Sequence, residues 1–294
     1  MRQAGTRRDD EQGMILINVL MFVAIASGLV LLMISREELA LDRSLRGREA
    51  ARAAAIVRGG ELSAIAALRR DAIEAPGVDH AGEPWAGIGA NGAAIDGGSF
   101  DLAVADAEGR FNVNSLRGGD LVPVLLFQKL AAVAGLDEAQ SNAAIAYVRS
   151  EGPVSDIRPI RLLPGADRDA IVRLERMVTA LPGSTAINLN SADPELLGIL
   201  FDDPVIAERL TAIRKRNGQI TLRDLSDQRV VQPPGTSFSS STYWVRVRAT
   251  IGGTVQDGAT LIQRRKEPDG QISVVPVARW RNAAVPPEAP AVGG

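Results

Sequence analysis

The longest apolar segment of the chain lies near its N-terminus. Met14 to Ile34 is a run of 21 residues without a charged side chain, and residues 1–13 before it carry six charges. An α-helix rises about 1.5 Å per residue, so this run makes a helix of roughly 31 Å, which matches the core of a bilayer. The pattern predicts a membrane-spanning helix over residues 14–34.

A removed secretory signal is the competing interpretation of this segment. Ala24-Ile25-Ala26 has the small-x-small pattern of a signal-peptidase site. The apolar run nevertheless continues through Ile34, which favours a helix that stays in the membrane. Basic residues are more numerous after the run than before it, so the positive-inside rule alone does not assign the N-terminus to the cytoplasm.

The helical pattern continues beyond the apolar run. Residues 35–74 are rich in Ala, Leu, Arg and Glu, contain no Pro, and carry a broken apolar stripe among charged positions. One helix is therefore expected from Met14 to about Ile73, apolar all round in its first half and amphipathic in its second. Gly59-Gly60 should weaken it locally, and Pro76 ends it.

Strand patterns flank a block of helical patterns in the rest of the chain. A Gly-rich linker runs to Gly98, and strands are predicted over residues 99–106, 110–114, 243–251, 260–265 and 272–280. Helices are predicted over residues 122–127, 137–149, 167–181, 193–200, 204–216 and 222–228. The simplest closure pairs residues 99–114 with the C-terminal strands in one antiparallel sheet.

These elements predict an α+β fold with an all-helical insertion. The first helix divides into a membrane part at residues 14–34 and a second part at residues 35–74, after a leader at residues 1–13. The two parts of the sheet occupy residues 75–118 and 238–282. The insertion spans residues 119–237, and an Ala/Pro/Gly-rich tail at residues 283–294 is expected to be disordered.

Composition removes several classes of chemistry. The chain has 294 residues, a net charge of −2, no Cys and a single His. Disulfides, thiolate metal sites and a Cys nucleophile are excluded, and the charge balance does not suggest a general polyanion binder. His80 lies in a Gly/Pro-rich stretch, where a solvated role is expected. The sequence contains no phosphate loop, H-E-x-x-H pattern or nucleophile elbow, so we expect a protein that is not an enzyme.

One motif suggests a possible contact with DNA. Residues 187–192, Ile-Asn-Leu-Asn-Ser-Ala, precede the helix at residue 193 as in the entry of a helix-hairpin-helix unit. Such hairpins bind phosphate through backbone N–H groups beside glycines. The expected hairpin, Phe201 to Val205, has no Gly and two acids, and the earlier hairpin at residues 163–167 also carries an acid. A structural role is favoured over DNA binding, despite the basic cluster at residues 214–216.

Together these features resemble the type II secretion system minor pseudopilin K (GspK) family. The resemblance covers nearly the whole chain. It includes the charged leader that ends at Gly13 and the long first helix. It also includes residues 108–116, similar to the family's G-x-F-N-x-N-x-L signature, and the Val178–Pro182 stretch that leads into residues 187–192. The family has a pilin-like antiparallel sheet and a helical insertion with helix-hairpin-helix, or SAM-like, units.

The resemblance implies processing, a location and partners. A prepilin peptidase would cut between Gly13 and Met14 and methylate the new N-terminus. Most pseudopilins carry a Glu at the fifth mature position, and here that position is the neutral Asn18, as is characteristic of subunit K. The protein would be a single-pass inner-membrane subunit with its C-terminal domain in the periplasm, placed at the tip of the pseudopilus. Its partners would be the minor pseudopilins I and J and other pseudopilins, not nucleic acid.

The resemblance leaves no cofactor assigned. Calcium has been seen in some family members, where an acidic stretch follows the first insertion helices. The comparable stretch here, Ala146 to Pro153, has a single acid, and calcium usually needs several carboxylates. Calcium ligands are therefore not carried over. The remaining alternative for the whole chain is a membrane-anchored helix-hairpin-helix protein that binds DNA.

Overall fold

A computed structural model describes residues 6–75 and 77–293, and for residues 6–15 it describes the backbone alone. The chain divides into two compact units, Met1–Arg52 and Ala53–Gly294. Helix α1, Thr6–Glu74, confirms the single long helix that the sequence predicts. Residues 1–5 of the predicted leader lie outside the described residues, whereas residues 6–13 belong to α1 rather than to a separate segment.

The first unit contains the apolar half of α1. Its large apolar side chains are exposed, among them Leu20, Phe22 and Leu31. The helix reaches a mean hydropathy of 2.6 over an 18-residue window and is the one candidate membrane span within the described residues. Exposed apolar side chains all round a helix are the pattern that a lipid environment selects.

The second unit contains an antiparallel sheet and a helical insertion. Its helices are α2 (Leu121–Ala134), α3 (Glu138–Glu151), α4 (Arg168–Met177), α5 (Pro194–Phe201), α6 (Pro204–Asn217) and α7 (Leu222–Asp227). Its strands are β1 (Ala90–Ile95), β2 (Gly98–Asp106), β3 (Phe111–Asn112), β4 (Val178–Thr179), β5 (Ile187–Asn188), β6 (Thr236–Ser237), β7 (Thr242–Ile251), β8 (Thr254–Lys266) and β9 (Ile272–Arg281). The α+β class and the helical insertion are confirmed.

The main sheet has the order β1-β2-β7-β8-β9. Strands β2 and β7 pair along their whole length, from Gly98 opposite Ile251 to Asp106 opposite Tyr243, so the insertion leaves and re-enters the sheet between two adjacent strands. Two details differ from the sequence-based prediction. Strand β1 lies in the region expected to be a linker, and the strand expected at residues 110–114 is only β3, which pairs with β4 outside the main sheet.

The second half of α1 packs on one face of this sheet. Ala64 and Leu68 of the helix join Trp85, Tyr243 and Val247 in a buried cluster. Glycine allows the close approach: a Cβ on Gly60 would lie 2.7 Å from Val247 Cγ2. Of the Gly59-Gly60 pair, expected to weaken the helix, Gly60 therefore supplies a contact surface for the sheet, whereas Gly59 is exposed.

The insertion forms the largest buried cluster of the second unit. Helices α3 to α7 begin at capping side chains, namely Asp137, Asp167, Asp193, Asp203 and Thr221, each of which accepts a hydrogen bond from a first-turn N–H. The parallel pairs β3–β4 and β5–β6 make it less than all-helical.

The C-terminal tail differs from the disordered segment that its composition predicts. Glu288 and Ala289 are buried, and Ala289 packs with Trp244 and Leu261 on the sheet face opposite α1. Arg246 donates a hydrogen bond to the Pro290 carbonyl at 3.0 Å. Pro and Gly disfavour regular structure, but the tail is held by contacts with residues distant in sequence, which its own composition does not reveal.

Candidate functional site

The residues predicted for processing and assembly lie in the first unit. Gly13 and Met14 belong to the backbone of α1, and their side chains lie outside those the structure describes. Asn18 is exposed, with exposed apolar neighbours at Ile17 and Val19. The helix therefore presents a neutral amide among apolar side chains at this position. Cleavage and methylation stay predictions.

The signature motif at residues 108–116 forms a buried hydrogen-bond network that connects separate segments of the second unit. Such a network around an Asn-x-Asn motif is called an Asn joint below. The Asn112 Oδ1 atom accepts hydrogen bonds from the N–H groups of Asn114 (3.1 Å) and Leu181 (3.0 Å), and its Nδ2 donates to the Gly183 carbonyl. Asn114 accepts from the Val154 N–H at 2.9 Å and donates to the Val154 and Leu181 carbonyls. Two amide side chains thus satisfy backbone groups from three separate segments.

The second Asn motif makes an equivalent joint. Asn188 Oδ1 accepts from the Asn190 N–H at 3.0 Å, and Asn190 Oδ1 accepts from the Ile220 N–H at 2.6 Å. The Nδ2 group of Asn188 donates to Asp106 Oδ2 and Ser240 Oγ at 2.8 and 2.9 Å. Asn188 therefore links the insertion to the end of β2 and to the loop before β7.

The two joints are copies of one arrangement. In each, Asn-x-Asn-Ser begins on a two-residue strand, β3 or β5, that pairs in parallel with a strand later in the chain. In each, the first Asn caps the second through the same Oδ1···H–N contact. The repeated tetrapeptides at residues 112–115 and 188–191 were the signal for this repeat, which sequence reasoning treated as two unrelated motifs.

Two buried carboxyl groups lie beside the second joint. Asp106 accepts hydrogen bonds from Ser191 Oγ (2.5 Å), Ser240 Oγ (2.6 Å) and the Glu108 N–H (2.7 Å). Burial is the largest influence on this carboxyl and raises its pKa. Glu108 is 4% exposed and accepts from Ser241 Oγ, and burial raises its pKa to about 7. These carboxyls are buried, hydrogen-bonded groups of the joint.

In both helical hairpins, an aspartate side chain occupies the position where a phosphate would bind. Asp203 Oδ1 accepts hydrogen bonds from the Val205 and Ile206 N–H groups at 2.8 and 3.3 Å, which are the donors a phosphate would need. Asp167 caps α4 in the same way. From the basic cluster, Arg214 donates to three backbone carbonyls instead of facing solvent. This geometry disfavours the binding of a DNA backbone at either hairpin.

A buried cluster of three acids is the one group of potential metal ligands among the described residues. Oxygen atoms of Asp71, Asp79 and Glu83 lie within 4.8 Å of one another. Arg264 occupies this space, with ion pairs of 2.9 Å to Asp71 and 2.5 Å to Asp79. Tyr243 Oη also donates to Asp79, at 2.5 Å. Burial and the neighbouring acids raise the pKa of Asp71 to about 6.

These residues do not fit a calcium ion. Calcium takes six to eight oxygen ligands, whereas oxygens of Asp71 and Asp79 already accept hydrogen bonds from Arg264. In the stretch from Ala146 to Pro153, Glu151 is the sole carboxylate and is exposed. The arginine-centred cluster is a structural ion-pair network that sequence reasoning missed, because Arg264 is far from Asp71 and Asp79 along the chain.

Sequence comparison with named proteins gives relatives that are consistent with this fold. No family model matches the chain. It is 29% identical to the type II secretion system protein K of Pseudomonas aeruginosa, over 91% of this chain and 92% of that protein. It is 25% identical to the protein K of Klebsiella pneumoniae, over 81% of this chain and 85% of that protein.

A solved structure has the same fold. A chain in the crystal structure of the GspK-GspI-GspJ complex of the enterotoxigenic Escherichia coli type 2 secretion system matches with a TM-score of 0.62. The match covers 82% of this chain and 99% of that one, at 17% sequence identity. Together with the Asn signature and the membrane-type first helix, these relatives support the assignment of the chain to the type II secretion system protein K, a minor pseudopilin.

Proposed function

We propose that this minor pseudopilin is used once per pseudopilus, at the tip, where it initiates or caps assembly. The observation that carries the proposal is the position of the insertion. It leaves the sheet after β2 and returns before β7, which pair directly, so a helical body is added to a pilin-like sheet without interrupting it. Such a body is difficult to repeat along a closely packed filament but is tolerated at an end.

Asn18 supports the same position. An ammonium group at the mature N-terminus is costly in a bilayer unless a neighbouring carboxylate pairs with it. A subunit with Glu at the fifth mature position can offer that carboxylate to an incoming subunit, whereas Asn18 cannot. A subunit that lacks the carboxylate suits the end that assembles first.

The partners in this proposal are the minor pseudopilins I and J, together with other pseudopilins below them. The fold relative crystallised in a complex with GspI and GspJ supports this choice. The apolar first helix supports a single-pass membrane anchor. In this proposal the anchor lies in the inner membrane and the second unit in the periplasm. Prepilin peptidase would cut between Gly13 and Met14. The role is structural and involves no catalysis by this chain.

Copy number and position test the proposal. Quantitative mass spectrometry of purified pseudopili should give about one copy of this subunit per filament, and gold labelling should mark one end. Asn18→Glu should allow the subunit to enter internal positions, whereas Asn18→Gln, a neutral control, should not. Labelling along the whole filament in the wild type would refute the proposal.

Processing has a separate test. Gly13→Leu should leave the chain uncut and 13 residues longer than the wild type, because a side chain prevents close approach of the peptidase to the backbone. Intact-mass measurement checks this. A wild-type N-terminus at Ser27, after Ala24-Ile25-Ala26, would contradict the prepilin interpretation.

A further inference from the structure

The C-terminal tail bridges the sheet and the helical insertion. Residues 285–293 form no helix or strand, yet Glu288 and Ala289 are buried. The Glu288 carboxyl group accepts a hydrogen bond at 2.8 Å from the N–H of Ile157, a residue that is 1% exposed and belongs to the core of the insertion. Glu288 carries the one charged side chain of residues 283–294. The tail therefore places its charged side chain against the insertion, while Ala289 lies on the sheet.

Two arginines of β7 hold the backbone of the tail. Arg246 Nη1 donates a hydrogen bond to the Pro290 carbonyl at 3.0 Å, and Arg248 Nη1 donates to the Val292 carbonyl at 3.1 Å. The arginines are two residues apart on β7, as are the two carbonyls in the tail, and alternate residues of a strand project from the same face of a sheet. The end of the tail thus runs along β7, in the same direction and in register with its arginine side chains.

Asp257 on β8 positions both arginines without help from the tail. It accepts hydrogen bonds from Nε and Nη2 of Arg246 at 3.1 and 2.9 Å, and from Nε and Nη2 of Arg248 at 3.3 and 2.9 Å. These bonds occupy one edge of each guanidinium and leave its Nη1 group for a carbonyl oxygen. Because a planar guanidinium is already fixed by these bonds, it loses little further freedom when a carbonyl binds. The three residues Arg246, Arg248 and Asp257 are called the arginine clamp below.

The tail has the properties of a bound ligand. Pro286, Pro287 and Pro290 restrict its backbone before it docks, which reduces the entropy lost on binding. Ala289 packs in one buried cluster with Trp244. A proline-containing segment that lies on aromatic side chains is a recurring mode of peptide recognition. Since residues 285–293 form no strand, the tail can leave its site without breaking the pairing of the sheet.

We propose that the tail is an intramolecular ligand of a peptide-binding site that spans the sheet and the insertion. The arginine clamp binds two alternate backbone carbonyls, and the N–H of Ile157 binds a carboxyl group two residues before the first of them. The occupant is residues 285–293 of this chain. The bound tail ties the insertion to the sheet, in addition to the hydrogen bonds of Asn188, and this tie opens when the tail leaves.

A tail peptide added to a tail-less protein tests this proposal. The protein is the chain in detergent micelles without Val285 and the residues after it, and the probe is a fluorescent, amidated peptide of residues 285–293. Fluorescence anisotropy should show saturable binding. The intact protein should bind the peptide at least about tenfold more weakly, because its own tail competes at a high effective concentration.

The matched control peptide exchanges Glu288 and Ala289. It keeps the composition but moves the carboxyl group by one residue, away from the N–H of Ile157. It should bind at least about tenfold more weakly than the native peptide, the effect of one charge-assisted hydrogen bond. In the tail-less protein, Arg248→Gln should weaken binding of the native peptide by a similar factor, whereas Arg209→Gln, at an exposed position of α6, should leave it unchanged.

Hydrogen exchange measured by mass spectrometry gives a separate readout at the insertion. The N–H of Ile157 is bonded to the tail, so its segment should exchange faster in the tail-less protein. Added native peptide should slow this exchange again. Recovery by a separate peptide distinguishes a bound ligand from a segment that is needed only for folding.

A protease site inserted between Ala284 and Val285 repeats the test in a chain that has folded with its tail. After cleavage, the tail fragment should separate on gel filtration and bind again when it is added back. A fragment that stays attached would mean that the tail is a permanent part of the fold and would overturn the proposal. The same conclusion follows if neither protein binds the native peptide, if the two peptides or the two proteins bind equally, if the Arg248 and Arg209 variants behave alike, or if exchange at Ile157 does not respond to the tail.

Discussion

Glu108→Gln should stabilise the second unit at alkaline pH and have little effect at acidic pH. Glu108 is 4% exposed, and its carboxyl accepts hydrogen bonds from the hydroxyl groups of Ser241, at 2.7 Å, and Thr242. Burial raises its pKa from 4.5 to about 7, and the nearby Asp106 adds to the effect. Gln keeps the shape and an acceptor oxygen, but it cannot become charged in this buried position.

The sign and size of the effect follow from proton linkage. The folded state holds the Glu108 proton more tightly than the unfolded state does. Burial of Glu108 therefore takes nothing from the free energy of unfolding below pH 4.5, where the carboxyl is protonated, and takes its full amount above pH 7, where it is charged. At about 1.4 kcal/mol per pKa unit the full penalty is about 3 kcal/mol. Between pH 5 and pH 8, the wild type should therefore lose about 2.5 kcal/mol of unfolding free energy that Glu108→Gln does not lose.

Urea unfolding of the full-length protein in micelles, followed by tryptophan fluorescence, measures this difference. Trp85, Trp244 and Trp280, the three tryptophans of the chain, all lie in the second unit and report its unfolding. Glu208→Gln, an exposed change in the middle of α6, is the control and should follow the wild type at both pH values. The same pH slope in wild type and Glu108→Gln would refute the assignment of a buried, protonated carboxyl at this position.

Three further substitutions test the buried polar joints, each by the same unfolding measurement. Arg264→Gln should lower the free energy of unfolding by about 3–5 kcal/mol at pH 8 and by less at pH 5, because it leaves two buried aspartates without their cation. The control Arg265→Gln, at the exposed neighbouring residue, should lower it by less than about 1 kcal/mol. Asn188→Ala should lower the free energy of unfolding by about 3 kcal/mol, since it leaves several buried groups without a hydrogen-bond partner. An equal loss in Asn142→Ala, a change at an exposed position, would contradict this. Gly109→Ala should cost more than 1 kcal/mol, because its Cβ would lie 2.6 Å from a backbone carbonyl oxygen, and an unchanged midpoint would refute that contact.

Most of the secondary structure could be predicted because its signals are local. Pro194 and Pro204 stand at helix starts and Gly218 at a helix end, and the structure begins and ends α5 and α6 there. The alternation from Tyr243 to Ile251 predicts β7 within one residue. The apolar run predicts the membrane part of α1 for the same reason, since length and composition alone decide it.

The missed features depend on contacts distant in sequence. Strand β1 has the small, Gly-containing sequence of a linker and becomes a strand only because β2 offers a free edge. The pairing of β3 with β4 could not be inferred, because a two-residue strand carries no periodicity. The tail contacts and the Arg264 cluster likewise join residues separated by many positions, with no local pattern to mark them.

The two Asn joints explain how a large insertion can function on a pilin-like sheet. An insertion between β2 and β7 has two connections to the sheet, and flexible connections would let it swing freely. Here the side chain of Asn188 fixes the insertion to the sheet, because it donates hydrogen bonds to Asp106 at the end of β2 and to Ser240 before β7. Residues 53–294 accordingly form one compact unit. A head held in this way presents its partner surfaces in one orientation, which the proposed role in initiating assembly requires, because every later subunit would be placed relative to it.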